Sequence, residues 1–243
     1  MRFLVPMLLL AVGCKSQPAA PLRVAAASDL TQAFEAIAPA FEKKTGQKVE
    51  LVFGASGQLS KQLVEGAPYD LFAAANEAFT QAPIDQGVCR GDTRAHYAEG
   101  HLVIYAAKEK LSSLEDLKDP RFVKVAIANP EVAPYGKAAK DALMKAGLWE
   151  AIEPKLVYGQ NIQQTFQLAK SGNAEAALVS RSLAKDAVEI DTALYTPLKQ
   201  ALVVCTGGKN TAGGEAFAAF VLSEEGRSIL KSFGFALPSA AAL

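Results

Sequence analysis

From residue 22 to residue 205 the chain alternates short apolar runs with stretches of helical spacing. That alternation constrains the fold more than any other feature. Residues 22–27, 49–53, 69–74, 101–107, 124–128, 155–158, 175–179 and 200–205 read as strands. Leu30, Ala33, Phe34, Ile37, Ala38 and Phe41 recur at three and four and trace a helix, which Gly46 stops. Further helices are expected after Gly54-Ala55-Ser56-Gly57, over 77–86, 112–118 and 134–146, and from Ile162 to Gly172. Two more follow Cys205, the second opening at Ser223-Glu224-Glu225. Strand and helix in such regular succession predict an α/β fold with parallel sheets.

The N-terminus reads as an address. Met1-Arg2 precedes an apolar run over 3–12, broken only by Pro6, and Ala11-Val12-Gly13-Cys14 follows. This is the pattern of a secretory signal, and the run is too short to span a bilayer. Its ending resembles a bacterial lipobox, which implies cleavage after residue 13 and lipidation of Cys14. Polar, Pro-containing residues 15–21 then serve as a tether. An ordinary buried cysteine in a first helix is the plainer alternative. Export leaves Cys89 and Cys205 in a disulfide-permissive setting. The two could pair, but they lie far apart and geometry decides. The favoured reading is two small buried hydrophobes. No CxxC and no His cluster accompanies them, so no metal site is expected.

Charge narrows the partners. The chain carries 25 Lys and Arg against 25 Asp and Glu, with half its residues apolar. A chain so apolar is folded. With no basic excess to neutralise phosphates, nucleic acid is not an expected partner.

Enzyme signatures are weak. Gly54-Ala55-Ser56-Gly57-Gln58 approaches a nucleophile elbow, but the glycine required two residues after the serine is replaced by Gln58. Gly207-Gly208-Lys209-Asn210 lacks the spacing and the hydroxyl of a phosphate loop. The two histidines, His96 and His101, make a poor start for a triad. The strand-to-helix junctions say more. Ala27-Ser28-Asp29-Leu30, Gly54-Ala55-Ser56-Gly57, the segment 129–136 and Gly159-Gln160-Asn161-Ile162 contain no Lys or Arg. Ligands of open α/β sheets sit beyond the carboxyl ends of strands, where helix N-termini present unpaired N–H groups. Such junctions could hold a small anion by neutral donors. Ser28, Asp29, Ser56 and Asn161 could equally be N-caps, and spacing alone favours caps.

Five segments carry a resemblance that covers residues 22 to 238. They are Ala25-Ala26-Ala27-Ser28-Asp29-Leu30, Gly66-Ala67-Pro68-Tyr69-Asp70-Leu71-Phe72-Ala73-Ala74-Ala75-Asn76, Ile127-Ala128-Asn129-Pro130-Glu131-Val132-Ala133-Pro134-Tyr135-Gly136, Ser171-Gly172-Asn173-Ala174-Glu175-Ala176-Ala177 and Gly226-Arg227-Ser228-Ile229-Leu230-Lys231-Ser232-Phe233-Gly234-Phe235. Together they resemble the bacterial molybdate-binding proteins of ABC importers. The resemblance implies a two-lobe periplasmic-binding-protein fold of type II, its ligand cleft between α/β lobes joined by two crossing strands. Lobe 1 would comprise 22–100 and 205–243, and lobe 2 would comprise 101–204, behind a signal at 1–13 and a tether at 14–21. The resemblance also implies ligand positions at Ser28, Ser56, Tyr135 and Ile162, Tyr135 through its phenol as the side-chain donor of the second lobe and Ile162 through its backbone N–H, with Asp29 beside Ser28. Some members carry a ligand-binding Tyr where this chain has Ser180, which makes Ser180 a further candidate. An acidic side chain beside a dianion is repelled, so Asp29 is expected to face away and cap its helix.

The function so implied is capture of molybdate, and of tungstate, by neutral hydrogen-bond donors, with delivery to a membrane permease. No catalysis and no cofactor are expected. The protein would be a monomeric, extracytoplasmic lipoprotein held to a membrane by its lipid anchor. Rivals are the same fold binding sulfate or phosphate, a secreted hydrolase using Ser56, and a surface lipoprotein without a small ligand.

Overall fold

The computed structural model describes residues 20–238, where the apolar runs build ten strands in two five-stranded sheets. The strands are β1 (Leu22–Ala27), β2 (Val49–Gly54), β3 (Leu71–Ala74), β4 (Ala95–Gly100), β5 (Leu102–Tyr105), β6 (Val125–Ala128), β7 (Leu156–Gly159), β8 (Ala176–Ser180), β9 (Val188–Glu189) and β10 (Leu198–Val204). The α-helices are α1 (Thr31–Thr45), α2 (Ser56–Val64), α3 (Gln81–Asp85), α4 (Pro134–Lys145), α5 (Trp149–Ile152), α6 (Ile162–Lys170), α7 (Thr211–Leu222) and α8 (Glu224–Ser232). The expected signal at 1–13, the lipid site at Cys14 and most of the tether lie outside the described residues. Among the described residues no helix is long and apolar enough to cross a membrane.

The two sheets share one plan. The first runs β2-β1-β3-β10-β4 and the second β7-β6-β8-β5-β9. In the first, β1 lies parallel between β2 and β3; in the second, β6 lies parallel between β7 and β8. β10 and β5 then run antiparallel to their neighbours. The sheets are therefore mixed, not parallel throughout as the alternation predicts. β3, β6 and β8 are buried along their whole length, which explains their unbroken apolar runs.

Helix positions follow from local chemistry. α1 buries Ala33, Phe34, Ile37, Ala38 and Phe41 on one face. Phe34 and Phe41 meet Phe217 of α7 edge-on, at 5.6 and 5.2 Å between ring centres. Gly46 ends α1 with φ +74, a left-handed turn that costs glycine nothing. Pro134 opens α4 at its first position, where a missing N–H is harmless. The helix expected over 77–86 is a 3-10 turn, Glu77–Thr80, followed by α3. Pro83 has no N–H for a continuous ladder there. β4 and β9 were not legible: β4 carries His96 and Glu99, and β9 is two residues long.

The lobe boundary differs from the expected one. The chain leaves the first sheet at Gly100, passes His101 and enters the second at Leu102. It returns at Leu198, because β10 pairs with β3 and β4. The division at 204/205 assigned that strand to lobe 2; its hydrogen bonds put it in lobe 1.

Cys89 and Cys205 form a disulfide, which corrects the reading of two separate buried thiols. Cys205 directly follows β10, and an antiparallel bridge sets it opposite Cys89 although 116 residues separate them. Both are buried. Closing so long a loop restricts the unfolded chain strongly. Replacing both cysteines with alanine is expected to lower unfolding free energy by about 2–5 kcal/mol. Urea titration checks this, and reductant should shift the parent's midpoint but not the variant's.

Candidate functional site

Four strand ends point at one place. β1 delivers Ser28, β2 delivers Ser56 at the first position of α2, β6 leads to Tyr135 at the second position of α4, and β7 leads to Ile162 at the first position of α6. β1 and β6 hold the same place in their sheets, and so do β2 and β7. The shared plan therefore sets two junctions of each lobe face to face. Ser28, Asp29, Ser56, Tyr135 and Ile162 line a single cavity of about 10 Å³, walled further by Ala27, Ala55, Ala75 and Ala133. That is well below the ~300–1,000 Å³ of an organic-ligand pocket. A larger concavity of about 640 Å³ surrounds Tyr105, Phe166 and Leu183. None of its lining residues holds a buried side-chain polar atom lacking a partner, so it offers no prepared ligand contact.

Among the described residues no Lys, Arg or His lines the small cavity. Its positive potential must come from backbone. The first N–H groups of α2, α4 and α6 have no intrahelical partner, and the positive ends of those helix dipoles meet here. Side chains add to them. Ser28 Oγ is buried and has no hydrogen-bond partner. Ser56 Oγ accepts the N–H of Ala75 at 3.0 Å, which fixes the oxygen and leaves its proton to donate. Neither serine caps its helix. Asn161 does, accepting the Gln164 N–H at 2.9 Å.

The lobes touch around the cavity. The Gly57 N–H donates to the Val132 carbonyl at 2.9 Å. A Cβ on Gly57 would lie 2.9 Å from that oxygen, so the approach needs glycine. Ser182 Oγ donates to the Asp29 carbonyl at 2.7 Å. Gln200 Nε2, on β10, donates to Asp29 Oδ2 at 2.7 Å and to Tyr135 Oη at 3.1 Å.

Asp29 does not cap its helix, which corrects the expected orientation. It is buried, its Oδ1 has no partner, and it lines the cavity. Burial raises its pKa from 3.8 to about 6, against the opposing pull of Gln200, then of the Tyr135 hydroxyl and of the nearby backbone N–H groups of Asp29 and Leu30. Burial, and then the charge of Asp29, push the Tyr135 phenol well above its ordinary range. Ser180 is not among the cavity's lining residues; it donates to Tyr135 Oη at 3.0 Å and so acts one bond away. Gln200 was missed as a site residue, since it reads as the start of a strand. Its one signal is an amide side chain in the apolar run Ala201-Leu202-Val203-Val204. Neither histidine lines the cavity, and His96 Nε2 pairs with Glu77 Oε2 at 2.6 Å. Ser56 thus has no imidazole beside it.

Known proteins share this fold. Residues 22–236 match the family model described as bacterial extracellular solute-binding protein. The molybdate-binding protein ModA of Azotobacter vinelandii is 34% identical, the alignment covering 98% of this chain and 100% of that protein. The molybdate-binding protein ModA of Rhodobacter capsulatus is 32% identical over 87% of this chain and 86% of that protein. The solved structure of the periplasmic molybdate-binding protein of Azotobacter vinelandii aligns with a TM-score of 0.85 at 28% identity, covering 90% of this chain and 100% of that one.

Asp29 makes stability depend on pH. Its folded pKa lies above the unfolded value, so between about pH 4 and 6 the folded state binds more protons. Folding stability from this group therefore falls as pH rises through that window and stays reduced above it. Without ligand, Asp29→Asn is expected to be more stable than the parent at pH 8 by about 3 kcal/mol, and to lose this decline. Urea titrations of both proteins from pH 4 to 8 check it.

Proposed function

The chain belongs to the bacterial extracellular solute-binding proteins, and we propose that it captures molybdate outside the cytoplasm and delivers it to an ABC-type permease. The observation that carries this reading is the small cavity in which four uncharged strand-to-helix junctions converge. A tetrahedral dianion suits it. Each oxygen can accept from a fixed neutral donor, and fixed dipoles in a water-poor site stabilise charge more than exposed ones do. Ser28 and Ser56 supply hydroxyls, Ile162 and Tyr135 supply backbone N–H groups, and the Tyr135 ring helps exclude water. Tungstate matches molybdate in charge and shape. Sulfate has shorter bonds to oxygen, and donors set for a larger ion fall short of it.

The protein binds and releases its ligand unchanged. Ser56 serves as a donor, not a nucleophile, since no base stands beside it. Residues 1–13 act as an export signal and Cys14 as the lipid attachment site, so the mature monomer works at a membrane's outer face. Closure of the lobes over the anion excludes water, and their opening at the permease releases it.

A thermal-shift series with molybdate, tungstate, sulfate and phosphate tests the assignment, because a ligand bound only by the folded state raises the melting temperature. Molybdate and tungstate are expected to give the large shifts. Equal shifts with sulfate or phosphate at matched concentration would favour a general oxyanion binder. Ser28→Ala and Ser56→Ala are each expected to weaken molybdate binding by about 1–3 kcal/mol in calorimetry, the range for a hydrogen bond to a charged group. Parent-like affinity in both would remove the serines from the site.

A further inference from the structure

We infer that Asp29 enters the complex as a neutral carboxylic acid, so that capture of a fully deprotonated oxyanion takes up one proton. The inference rests on the oxyanion reading above and deepens it.

Among the described residues Asp29 is the one acidic side chain lining the cavity. Its two oxygens are unlike. Oδ2 already accepts the Gln200 amide at 2.7 Å, whereas Oδ1 is buried without a partner, as is the neighbouring Ser28 Oγ. Oδ1 is thus the free oxygen available to carry a proton and donate it, alongside the serine, to an anion in the cavity.

Among the described residues no cationic side chain lines the cavity to hold Asp29 ionised beside a dianion; besides Gln200 and Tyr135, only the backbone N–H groups of Asp29 and Leu30 favour its charged form. Tyr97 of β4 and Tyr135 of α4 are the titratable groups that bear on Asp29, and burial holds both phenols neutral through the physiological range. β10 contributes the neutral Gln200, and the segment after β8 contributes Ser182. Arg181, next in sequence, donates its guanidinium to Glu189 and to the Gly234 carbonyl. The positive field of the helix N-termini remains, and it is what the incoming dianion uses. A carboxylate at hydrogen-bond distance from a dianion would repel it by several powers of ten in affinity. Protonating Asp29 is far cheaper: with a pKa of about 6 it costs about tenfold at pH 7.

The proton balance is simple. One proton passes from buffer to the carboxylate as the dianion binds, no covalent bond to the anion forms, and release returns the proton. Calorimetry with molybdate at pH 6.5–8.5, in buffers of different ionisation enthalpy, reads it directly. At pH 8 the parent should take up about one proton per anion, and its Kd should rise about tenfold per pH unit. Asp29→Asn should bind with no proton uptake, independently of pH, and about 100-fold more tightly than the parent at pH 8. His101 lies outside the cavity and burial lowers its pKa, so His101→Gln should keep the parent's slope.

Molybdate binding by the parent with a flat pH profile and no proton uptake would overturn the proposal and leave the ligand assignment standing. So would a slope that survives Asp29→Asn, or a parent that prefers hydrogenphosphate and loses it in the Asn variant. That last result would show a carboxylate accepting a proton from the ligand. If no oxyanion binds at any pH, the ligand assignment and this proposal both fall. Should Asp29→Asn fail to fold, the parent's proton count alone decides.

Discussion

A cavity built for negative charge without one basic side chain must draw its attraction from the backbone, and the rest of the molecule is arranged around that need. A helix dipole acts only near its first turn, so the useful donors have to lie within a few ångströms of one point. One lobe can bring two helix starts to such a point from adjacent strands, as β1 and β2 do with Ser28 and Ser56. A second lobe with the same strand order supplies two more, from β6 and β7. Two lobes facing each other are therefore the economical way to surround a small ion with peptide N–H groups.

That design makes contact between the lobes part of the site itself. Gly57 and Val132 meet backbone to backbone, which a side chain at Gly57 would obstruct. Gln200 reaches from the first sheet to Tyr135 of the second lobe, and Ser182 reaches back to the Asp29 carbonyl. These bonds join neutral groups, so they hold the lobes in register without bringing a cation into the cavity. The disulfide stands away from them, fixing the end of β10 to the segment before β4. It stiffens the lobe that carries Gln200.

The tight network around Asp29 has an electrostatic consequence. An acid with one oxygen committed to Gln200 and the other unpartnered is costly to keep ionised in a dry site. A site that tolerates such a group while attracting anions gains a built-in link to pH.

The sequence by itself determined what local chemistry decides. Each strand-to-helix junction is a contiguous segment, so the four junctions could be marked before any fold was known; the family resemblance then singled out Ser28, Ser56, Tyr135 and Ile162 within them, and all four line the cavity. Helix α1 and the buried strands were legible for the same reason, since their periodicity is written in neighbouring residues. The tertiary structure alone decided what depends on distant partners. Gln200 joins the site from 171 residues beyond Asp29. Cys205 finds Cys89 across 116 residues. β10 belongs to the first sheet because β3 and β4 lie open to it. Asp29 was expected to cap a helix, because capping is the local option for an aspartate at a helix start. It turns instead to an amide on another strand, and no short-range pattern encodes a hydrogen bond whose partner is brought near only by folding.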